Sequence, residues 1–247
     1  MLSDFCRLCN QRLFPKPVVT LCGMPRAAQY FPSESQFSED QGIKLDIYQC
    51  GRCGLLQLNR EPVPYFREVI TATSFSEKTR KIRLNQMMKF IETFGLAGKK
   101  VLEVGSGKGE MLDILEEVGA HAIGIESSKD SVRSGRAEGR QMIEGYIDDD
   151  ATSMPYSPYH GFVCFNYLEH MPNPGSVIRR LHDNTTPSAV GFVTVPNLAY
   201  LLDTKCYYEF VADHLSYFTK STLRLAFESN GFDVLECFHR DRVRDKS

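Results

Sequence analysis

The chain has 247 residues, of which 42% are hydrophobic, and its 29 Lys and Arg against 31 Asp and Glu give a formal net charge of -2. This length and hydrophobic content allow a full hydrophobic core and exclude a chain that is disordered throughout. The balanced charge argues against a nucleic acid or an anionic membrane as a partner, because such partners favour an excess of basic residues. The opening residues MLSDFCRLCN lack the basic and apolar regions of a targeting signal, and no apolar run is long enough to span a membrane, so we expect a soluble cytoplasmic protein.

Two pairs of cysteines with the spacing CxxC stand near the start of the chain: Cys6 with Cys9, and Cys50 with Cys53. Cysteines stay reduced in the cytoplasm, so this pattern indicates a metal rather than disulfide bonds. Four thiolates form the tetrahedral set that Zn²⁺ prefers, and they leave no open coordination position. We therefore predict a structural zinc ion in a zinc-binding module of residues 1–62.

The next stretch, residues 76–95, has the period of a helix. Ser76 is placed to cap its start, and Gly95 is placed to end it. The apolar residues that repeat every three or four positions are Leu84, Met87, Met88, Ile91 and Phe94. This pattern predicts one amphipathic helix before the region that follows.

From residue 99 onward, short apolar runs alternate with helical runs. In chain order they are KKVLEVG, EMLDILEEVG, HAIGIES, SKDSVRSGRAEG, QMIEGYI, GFVCFNYLEH, PGSVIRRLHD and AVGFVTVPN. Strands that alternate with helices of about ten residues are typical of a doubly wound parallel sheet. We therefore predict an α/β fold with a Rossmann-like sheet in residues 63–247, whose ligand lies beyond the carboxyl ends of the strands.

The first of these runs leads into EVGSGKG, a turn that contains Gly105, Gly107 and Gly109. Glycine lets the backbone pass close to a ligand, and the helix that follows directs its free amide groups toward it. Glu103, just before the turn, would repel a pyrophosphate but would accept hydrogen bonds from an ammonium group. Glu126 ends the second strand of this region, where an acid can bind both hydroxyls of a ribose. A ligand with a ribose, an amino group and a carboxylate therefore matches this turn better than NAD does.

The same residues carry a family resemblance. EVGSGKG followed by GIESS resembles motifs I and II of the class I S-adenosylmethionine-dependent methyltransferases. Within that class, the whole chain resembles the sugar C-methyltransferases of antibiotic deoxysugar pathways, which carry an N-terminal zinc-binding domain. The matching segments are CRLC, YQCGRCGLLQL, EVGSGKGEML, NYLEHMPNPG and DHLSYFTKSTLRLAFESNGF.

The resemblance implies that S-adenosylmethionine is the cofactor. The residues that it places around the cofactor are Glu103, Gly105, Ser106, Gly107, Gly109, Glu126, Ser127, Asp148 and Asn166. Asp148 follows the third strand of the sheet, where this class often recognises the amino group of adenine.

Methyl transfer is an in-line displacement, so the protein must supply alignment, desolvation and a base that removes a proton from the acceptor. His170 follows the fourth strand and His214 follows the fifth, and both loops are expected at the edge of the sheet where the methyl group lies. We predict that one of these histidines is the base and that Asp213 orients or charges its neighbours. The tyrosine-x-glutamate-histidine motif of the resembling family corresponds here to Val211–His214, which keeps the histidine and shortens the acid.

These patterns predict a methyltransferase that acts on a small molecule, a sugar or a sugar nucleotide, at carbon or oxygen, in a secondary-metabolite or polysaccharide pathway. Two alternatives stay open: an RNA methyltransferase that captures its substrate with the zinc module, and a non-catalytic adapter that binds the cofactor. The low net charge favours the small-molecule acceptor over RNA. The complete glycine turn together with Glu126 favours an enzyme over an adapter. The sequence leaves the oligomeric state open.

Overall fold

A computed structural model describes residues 4–26, 32–38, 40–64, 75–147 and 153–239. In chain order its strands and α-helices are β1 (Val19–Met24), β2 (Ile43–Gln49), β3 (Leu56–Leu58), α1 (Glu77–Phe94), β4 (Lys100–Val104), α2 (Glu110–Glu117), β5 (His121–Glu126), α3 (Lys129–Ala137), β6 (Met142–Glu144), β7 (Tyr159–Phe165), α4 (Pro174–Asp183), β8 (Thr185–Thr194), α5 (Leu198–Asp203), β9 (Ser216–Tyr217) and α6 (Lys220–Glu228). Over these residues, no helix has both the length and the apolar character needed to cross a membrane.

The described residues form two compact units. The first unit comprises Met1–Glu61, Pro172–Ile178 and Pro196–Ser247, and the second comprises Pro62–Met171 and Arg179–Val195. The first break between the units therefore lies next to the boundary predicted after residue 62. Residues from 196 onward group with the N-terminal part, although the predicted methyltransferase domain of residues 63–247 includes them. The division into functional domains at residues 62 and 63 stays a prediction.

The second unit is built on a five-stranded parallel sheet with the strand order β6-β5-β4-β7-β8. Central strand β4 pairs Val104 with Ile125 of β5 on one side and with Cys164 of β7 on the other. The chain leaves β4 toward β5 first and later returns to the other side at β7, so the topological switch point lies between β4 and β7. This arrangement confirms the predicted Rossmann-like α/β fold and brings the carboxyl ends of β4, β5 and β7 to one edge.

Helix α1 begins and ends where the sequence predicts. The Oγ atom of Ser76 accepts a hydrogen bond from the N–H of Thr79 at 3.2 Å, which satisfies one of the free amide groups of the first turn. Gly95 ends the helix in the left-handed conformation, with φ of 61°, which glycine adopts without a steric penalty. Local sequence signals therefore set both ends of this helix.

The predicted apolar stripe of α1 is partly wrong. Met87 and Ile91 are buried as expected, and Phe90 is buried with them, but Met88 and Phe94 are exposed. Met88 lies about 100° around the helix from Met87, and Phe94 is the last helical residue, so neither is enclosed. The buried face joins the core between α1, α2 and the sheet, which includes Val101, Met111, Leu112, Ile114, Leu115, Ala122 and Val163.

The first unit contains an antiparallel sheet with the strand order β1-β2-β3-β9. Strand β9 pairs Ser216 with Gln57 and Tyr217 with Leu56 of β3. The sheet of the N-terminal module is therefore completed by two residues that come late in the chain.

Candidate functional site

Four cysteine sulfurs lie together in the first unit. The Sγ atoms of Cys6, Cys9, Cys50 and Cys53 all lie within 4.8 Å of one another. The Sγ–Sγ distance is 3.5 Å between Cys6 and Cys53 and also 3.5 Å between Cys9 and Cys50. A tetrahedral Zn²⁺ ion with Zn–S bonds of about 2.3 Å places its sulfurs about 3.8 Å apart. The four residues therefore fit the tetrahedral site that their spacing predicts.

The two cysteine turns have the same backbone hydrogen bonds. In each, the N–H of the first cysteine donates to the carbonyl five positions later, and its carbonyl accepts from the N–H four positions later. That fourth position is Asn10 in the first turn and Gly54 in the second, and both are left-handed, with φ of 53° and 77°. The first sulfur of each turn also accepts a backbone hydrogen bond. Cys6 Sγ accepts the N–H of Leu8 at 3.4 Å, and Cys50 Sγ accepts the N–H of Cys53 at 3.5 Å. Two equivalent turns thus present two sulfurs each to one point.

The pKa values of three thiols in this cluster are shifted in different directions. A hydrogen bond between Cys6 and Cys53 lowers the pKa of Cys53 to about 5 and raises the pKa of Cys6. Burial raises the pKa of Cys9. The thiolate is the form that binds a metal, and the lowered pKa of Cys53 favours that form at this residue.

In the second unit, the glycine turn follows β4 and is bonded to β5. Gly105, Gly107 and Gly109 have φ of 70°, 54° and 93°, a region that strains most other residue types. The N–H groups of Gly105 and Ser106 both donate to the carbonyl of Ile125, at 3.0 and 3.2 Å. The backbone itself therefore requires these glycines, and the turn is formed at the carboxyl edge of the sheet.

Glu126, the last residue of β5, holds the same turn through its side chain. Its Oε2 atom accepts the N–H of Gly107 at 2.9 Å, and its Oε1 atom accepts the N–H of Ser128 at 2.8 Å and the hydroxyl of Ser127 at 3.2 Å. Burial raises the pKa of the Glu126 carboxyl, and the two backbone hydrogen bonds oppose that rise. A carboxylate oxygen can accept more than one hydrogen bond, so Glu126 can order the turn and also bind a ligand hydroxyl.

Glu103 lies in β4, directly beside the turn. Its side chain is 6% exposed, and its Oε2 atom has no hydrogen-bond partner among the described residues. Burial raises the pKa of the Glu103 carboxyl well above its ordinary value, and the negative charge of Glu126 raises it further. A buried acceptor without a partner costs about 1–3 kcal/mol, and the ammonium group of a ligand would remove that cost.

Ser106 offers a second polar atom in the same turn. Its Oγ atom is buried and has no hydrogen-bond partner within the described part of the chain. The side chain fits because Gly124 of β5 has no Cβ, and a Cβ there would stand 2.5 Å from this oxygen. The turn thus presents a carboxylate and a hydroxyl that a polar ligand could satisfy.

One cation close to Glu103, the arginine Arg83, could not be predicted from the sequence motifs. The guanidinium carbon of Arg83 in α1 lies 4.3 Å from the ring centroid of Phe165, the last residue of β7. Its positive charge opposes the rise in the pKa of Glu103. Nη1 of Arg83 donates to Oε1 of Gln86 at 3.0 Å. Arg83 belongs to no motif, so only the packing of α1 reveals that its charge suits a ligand carboxylate beside Glu103.

The remaining predicted cofactor residues are Asn166, Ser127 and Asp148, and the structure describes the first two of them. Asn166 directly follows β7 with φ of 49°, its N–H donates to the carbonyl of Thr194 at 2.9 Å, and its Oδ1 accepts the Thr194 hydroxyl at 3.2 Å. These bonds tie the end of β7 to the end of β8. Ser127 donates to Glu126, as described above, and Asp148 lies outside the described residues. Glu103, the glycine turn, Glu126 and Ser127 are therefore brought together, and their binding roles stay predictions.

The two candidate bases belong to different units. His170 is a buried residue of the second unit, in the short 3₁₀ turn Leu168–His170 that follows β7. His214 belongs to the first unit, where its Nδ1 donates to the carbonyl of Glu209 at 2.9 Å. Burial lowers the pKa of His214, and the charge of Glu209 opposes this shift. With the proton on Nδ1, Nε2 is the basic nitrogen of His214. Asp213 beside it is buried, and the catalytic roles of all three residues stay predictions.

The chain is similar in sequence to several known methyltransferases. The C-methyltransferase NovU of Streptomyces niveus is 25% identical over 250 residues, which cover 96% of this chain and 58% of NovU. A ubiquinone biosynthesis O-methyltransferase of Proteus mirabilis is 29% identical over 122 residues, which cover 47% of this chain and 49% of that protein. The chain therefore spans only 58% and 49% of the lengths of these two relatives.

Solved structures with the same fold include one archaeal protein and one bacterial protein. A SAM dependent methyltransferase from Archaeoglobus fulgidus has a TM-score of 0.52 at 20% identity, covering 62% of this chain and 69% of that chain. The YcgJ protein from Bacillus subtilis has a TM-score of 0.50 at 14% identity, covering 61% of this chain and 68% of that chain. A family model described as a methyltransferase domain matches residues 78–237. Because that match spans more than half of the sequence, the chain belongs to the methyltransferase domain family, as the motif resemblance predicts.

Proposed function

We propose that this protein is an S-adenosylmethionine-dependent methyltransferase. The observation that carries the proposal is the buried carboxylate of Glu103, which has an oxygen without a partner among the described residues and lies beside the glycine turn. The ionised form of this carboxyl would repel the pyrophosphate of a dinucleotide, whereas the ammonium group of an amino-acid ligand would stabilise that form.

The residues around the turn suit different parts of S-adenosylmethionine. Glu103 would bind the amino group, Glu126 the ribose hydroxyls and Arg83 the carboxylate, while the glycines allow the close approach of the ligand. Ser127 and Asn166 are proposed as further cofactor residues. Asp148 is proposed for the amino group of adenine, on the motif resemblance alone.

For methyl transfer the protein has to align the two reactants and remove a proton from the acceptor. When bound, S-adenosylmethionine supplies a methyl group on a positively charged sulfur for in-line displacement. We propose His170 or His214 as the base that takes the proton of the acceptor, with Asp213 orienting or charging its neighbours. The lowered pKa of His214 favours the neutral imidazole, which is the form able to accept a proton.

The acceptor that we propose is a small molecule, a sugar or a sugar nucleotide, methylated at carbon or oxygen. The name of NovU supports a carbon acceptor, and that of the Proteus mirabilis relative supports an oxygen acceptor in the formation of a small molecule. The sugar and its antibiotic or polysaccharide pathway come from the motif resemblance to the sugar C-methyltransferases. We further propose that the four clustered cysteines hold a structural zinc ion, because their closed set leaves no position for a substrate.

The proposal is tested by calorimetric titration with three probes. S-adenosylhomocysteine carries the complete cofactor skeleton, 5′-methylthioadenosine lacks the amino acid part, and NADH represents a dinucleotide. We expect S-adenosylhomocysteine to bind more tightly than 5′-methylthioadenosine, because only the former can engage Glu103 and Arg83. Tight binding of NADH without binding of S-adenosylhomocysteine would replace this function with that of an oxidoreductase.

The same titration with a variant of Arg83 tests whether this residue binds the carboxylate of the ligand. Arg83→Met should weaken S-adenosylhomocysteine binding about tenfold or more, since a hydrogen bond to a charged group contributes about 1.5–3 kcal/mol, and should leave 5′-methylthioadenosine binding unchanged. Arg80→Met is the matched control, because Arg80 is an exposed residue of α1 that pairs with Glu117. Equal weakening of both ligands by Arg83→Met would mean that Arg83 supports the fold and does not bind the carboxylate.

A further inference from the structure

The first cysteine turn carries an arginine between its two sulfurs. The guanidinium of Arg7 donates from Nη1 to the carbonyl of Pro172 at 3.0 Å and from Nη2 to the carbonyls of Leu58 at 3.3 Å and Arg60 at 2.5 Å. All of these residues belong to the first unit. One side chain therefore links the cysteine turn to the end of β3 and to a segment that lies far along the chain.

The backbone of this turn is itself held in place. Gln57 of β3 is completely buried, and its Oε1 accepts the N–H of Arg7 at 2.8 Å. Its Nε2 donates to the carbonyl of Phe5 at 3.2 Å. The amide of Gln57 thus fixes the chain on both sides of Cys6, so the Arg7 side chain extends from an anchored position.

The segment that Arg7 reaches is the start of α4. Asn173 Oδ1 accepts the N–H of Ser176 at 3.0 Å, and the Ser176 hydroxyl donates to the carbonyl of Asn173 at 3.1 Å, so this helix start is locally ordered. Gly175 lies against the same cysteine turn, because a Cβ at this position would stand 3.6 Å from the carbonyl oxygen of Leu8. Arg7 thus bonds to the segment directly, and Leu8 lies close to it at a second point.

Charge explains why a metal would strengthen this arrangement. The acceptors that the structure gives the Arg7 guanidinium are the uncharged carbonyls of Leu58, Arg60 and Pro172. A Zn²⁺ ion with four thiolates carries a net charge of about −2. Such a centre beside Arg7 would stabilise the guanidinium in place.

We propose that Arg7 is a positioning residue through which the zinc site orders the segment Pro172–Ile178. This proposal rests on the proposed zinc ion and does not depend on the identity of the methyl donor. Pro172 follows His170 by two residues in the chain, so order in this segment also limits the freedom of the turn that carries a candidate base. The zinc site would then influence the reaction without touching a substrate.

Hydrogen exchange measured by mass spectrometry on the full chain tests this inference. In zinc-loaded wild-type protein, peptides that cover 172–178 should be protected, and removal of zinc with a chelator should speed their exchange at least about tenfold. Peptides that cover the glycine turn at 105–109 should keep their exchange rates. Unchanged protection of 172–178 after confirmed loss of zinc would overturn the proposal.

Substitutions separate the role of Arg7 from that of the metal. Zinc-loaded Arg7→Met should show the faster exchange at 172–178 with one zinc ion still bound per chain, and Arg12→Met, a change at an exposed arginine of the same module, should not. Arg7→Lys keeps the charge but lacks the planar fork, so it should give intermediate exchange rates. If Arg7→Met fails to retain zinc, the exchange rates of zinc-loaded Arg7→Lys are the test. Exchange at 172–178 as slow as in the wild type, measured in either zinc-loaded variant of Arg7, would refute the role of Arg7.

Discussion

Replacing Glu103 with glutamine should weaken cofactor binding and stabilise the ligand-free protein at the same time. The change keeps the size of the side chain and removes its negative charge. Glu103 is buried, and its carboxyl pKa is raised by burial and by the charge of Glu126, so the ionised form is unfavourable until a cation binds. A residue that only supported the fold would not be expected to produce these two opposite effects.

The magnitude of the binding effect follows from the contact proposed for the amino group. A hydrogen bond between charged groups contributes about 1.5–3 kcal/mol, and about 1.4 kcal/mol corresponds to a tenfold change in affinity. Glu103→Gln should therefore weaken S-adenosylhomocysteine binding by about 10-fold to 100-fold in calorimetry. Binding of 5′-methylthioadenosine, which has no amino group at that position, should stay within about twofold of wild type.

The stability effect has a defined dependence on pH. Because the folded-state pKa of Glu103 lies above the ordinary carboxyl value of 4.5, the wild type is fully stable with respect to this group below that value. It loses stability as the pH rises from that value through the raised pKa, because the unfolded chain ionises this carboxyl before the folded protein does. The melting temperature of Glu103→Gln minus that of the wild type should therefore increase as the pH is raised from about 4.5, by a few degrees. Unchanged affinity for S-adenosylhomocysteine, or a temperature difference that shrinks as the pH rises, would refute the reasoning.

Three further changes test other parts of the site. Glu126→Ala removes the acceptor of the glycine turn along with the proposed ribose ligand, so calorimetry should show at least about tenfold weaker S-adenosylhomocysteine binding and thermal unfolding a lower melting temperature. Elemental analysis of protein purified without chelator should find one zinc ion per chain, and Cys50→Ser should lower the melting temperature while S-adenosylhomocysteine affinity is retained; zinc-free protein with an unchanged melting temperature would contradict a structural role. His170→Gln should reduce methyl transfer to a keto-sugar nucleotide by about 10²-fold to 10⁴-fold without affecting S-adenosylhomocysteine affinity, whereas full turnover would leave His214 as the candidate base.

The elements that the sequence predicted well are those with local signals. The glycine turn could be located because the left-handed conformation of Gly105, Gly107 and Gly109 restricts the residue type at each position. The ends of α1 could be located because Ser76 and Gly95 act on their own helix. The cysteine cluster could be predicted because two CxxC turns have few other geometric uses.

Features that depend on packing between distant segments escaped the sequence analysis. Arg83 is one of many charged residues on helices, and its proximity to Phe165 and Glu103 follows only from the position of α1 beside the sheet. The hydrogen bond from Gly107 to Glu126 joins the turn after β4 to the end of β5, so neither motif alone reveals it. Strand β9 has only two residues, which is too short for an alternation pattern to be recognised.

The late position of β9 has a consequence for the synthesis of this protein. Strand β3 leaves the ribosome roughly 160 residues before its partner β9, a delay of roughly 10–30 s at about 5–20 residues per second. During that interval the edge of β3 that later pairs with β9 is exposed on the nascent chain, and exposed strand edges promote aggregation. Metal capture by the four cysteines, which all lie before β4, can take place within the same interval. If the four cysteines hold the proposed zinc ion, its availability during translation, more than after it, should therefore influence how much of this protein reaches its folded state.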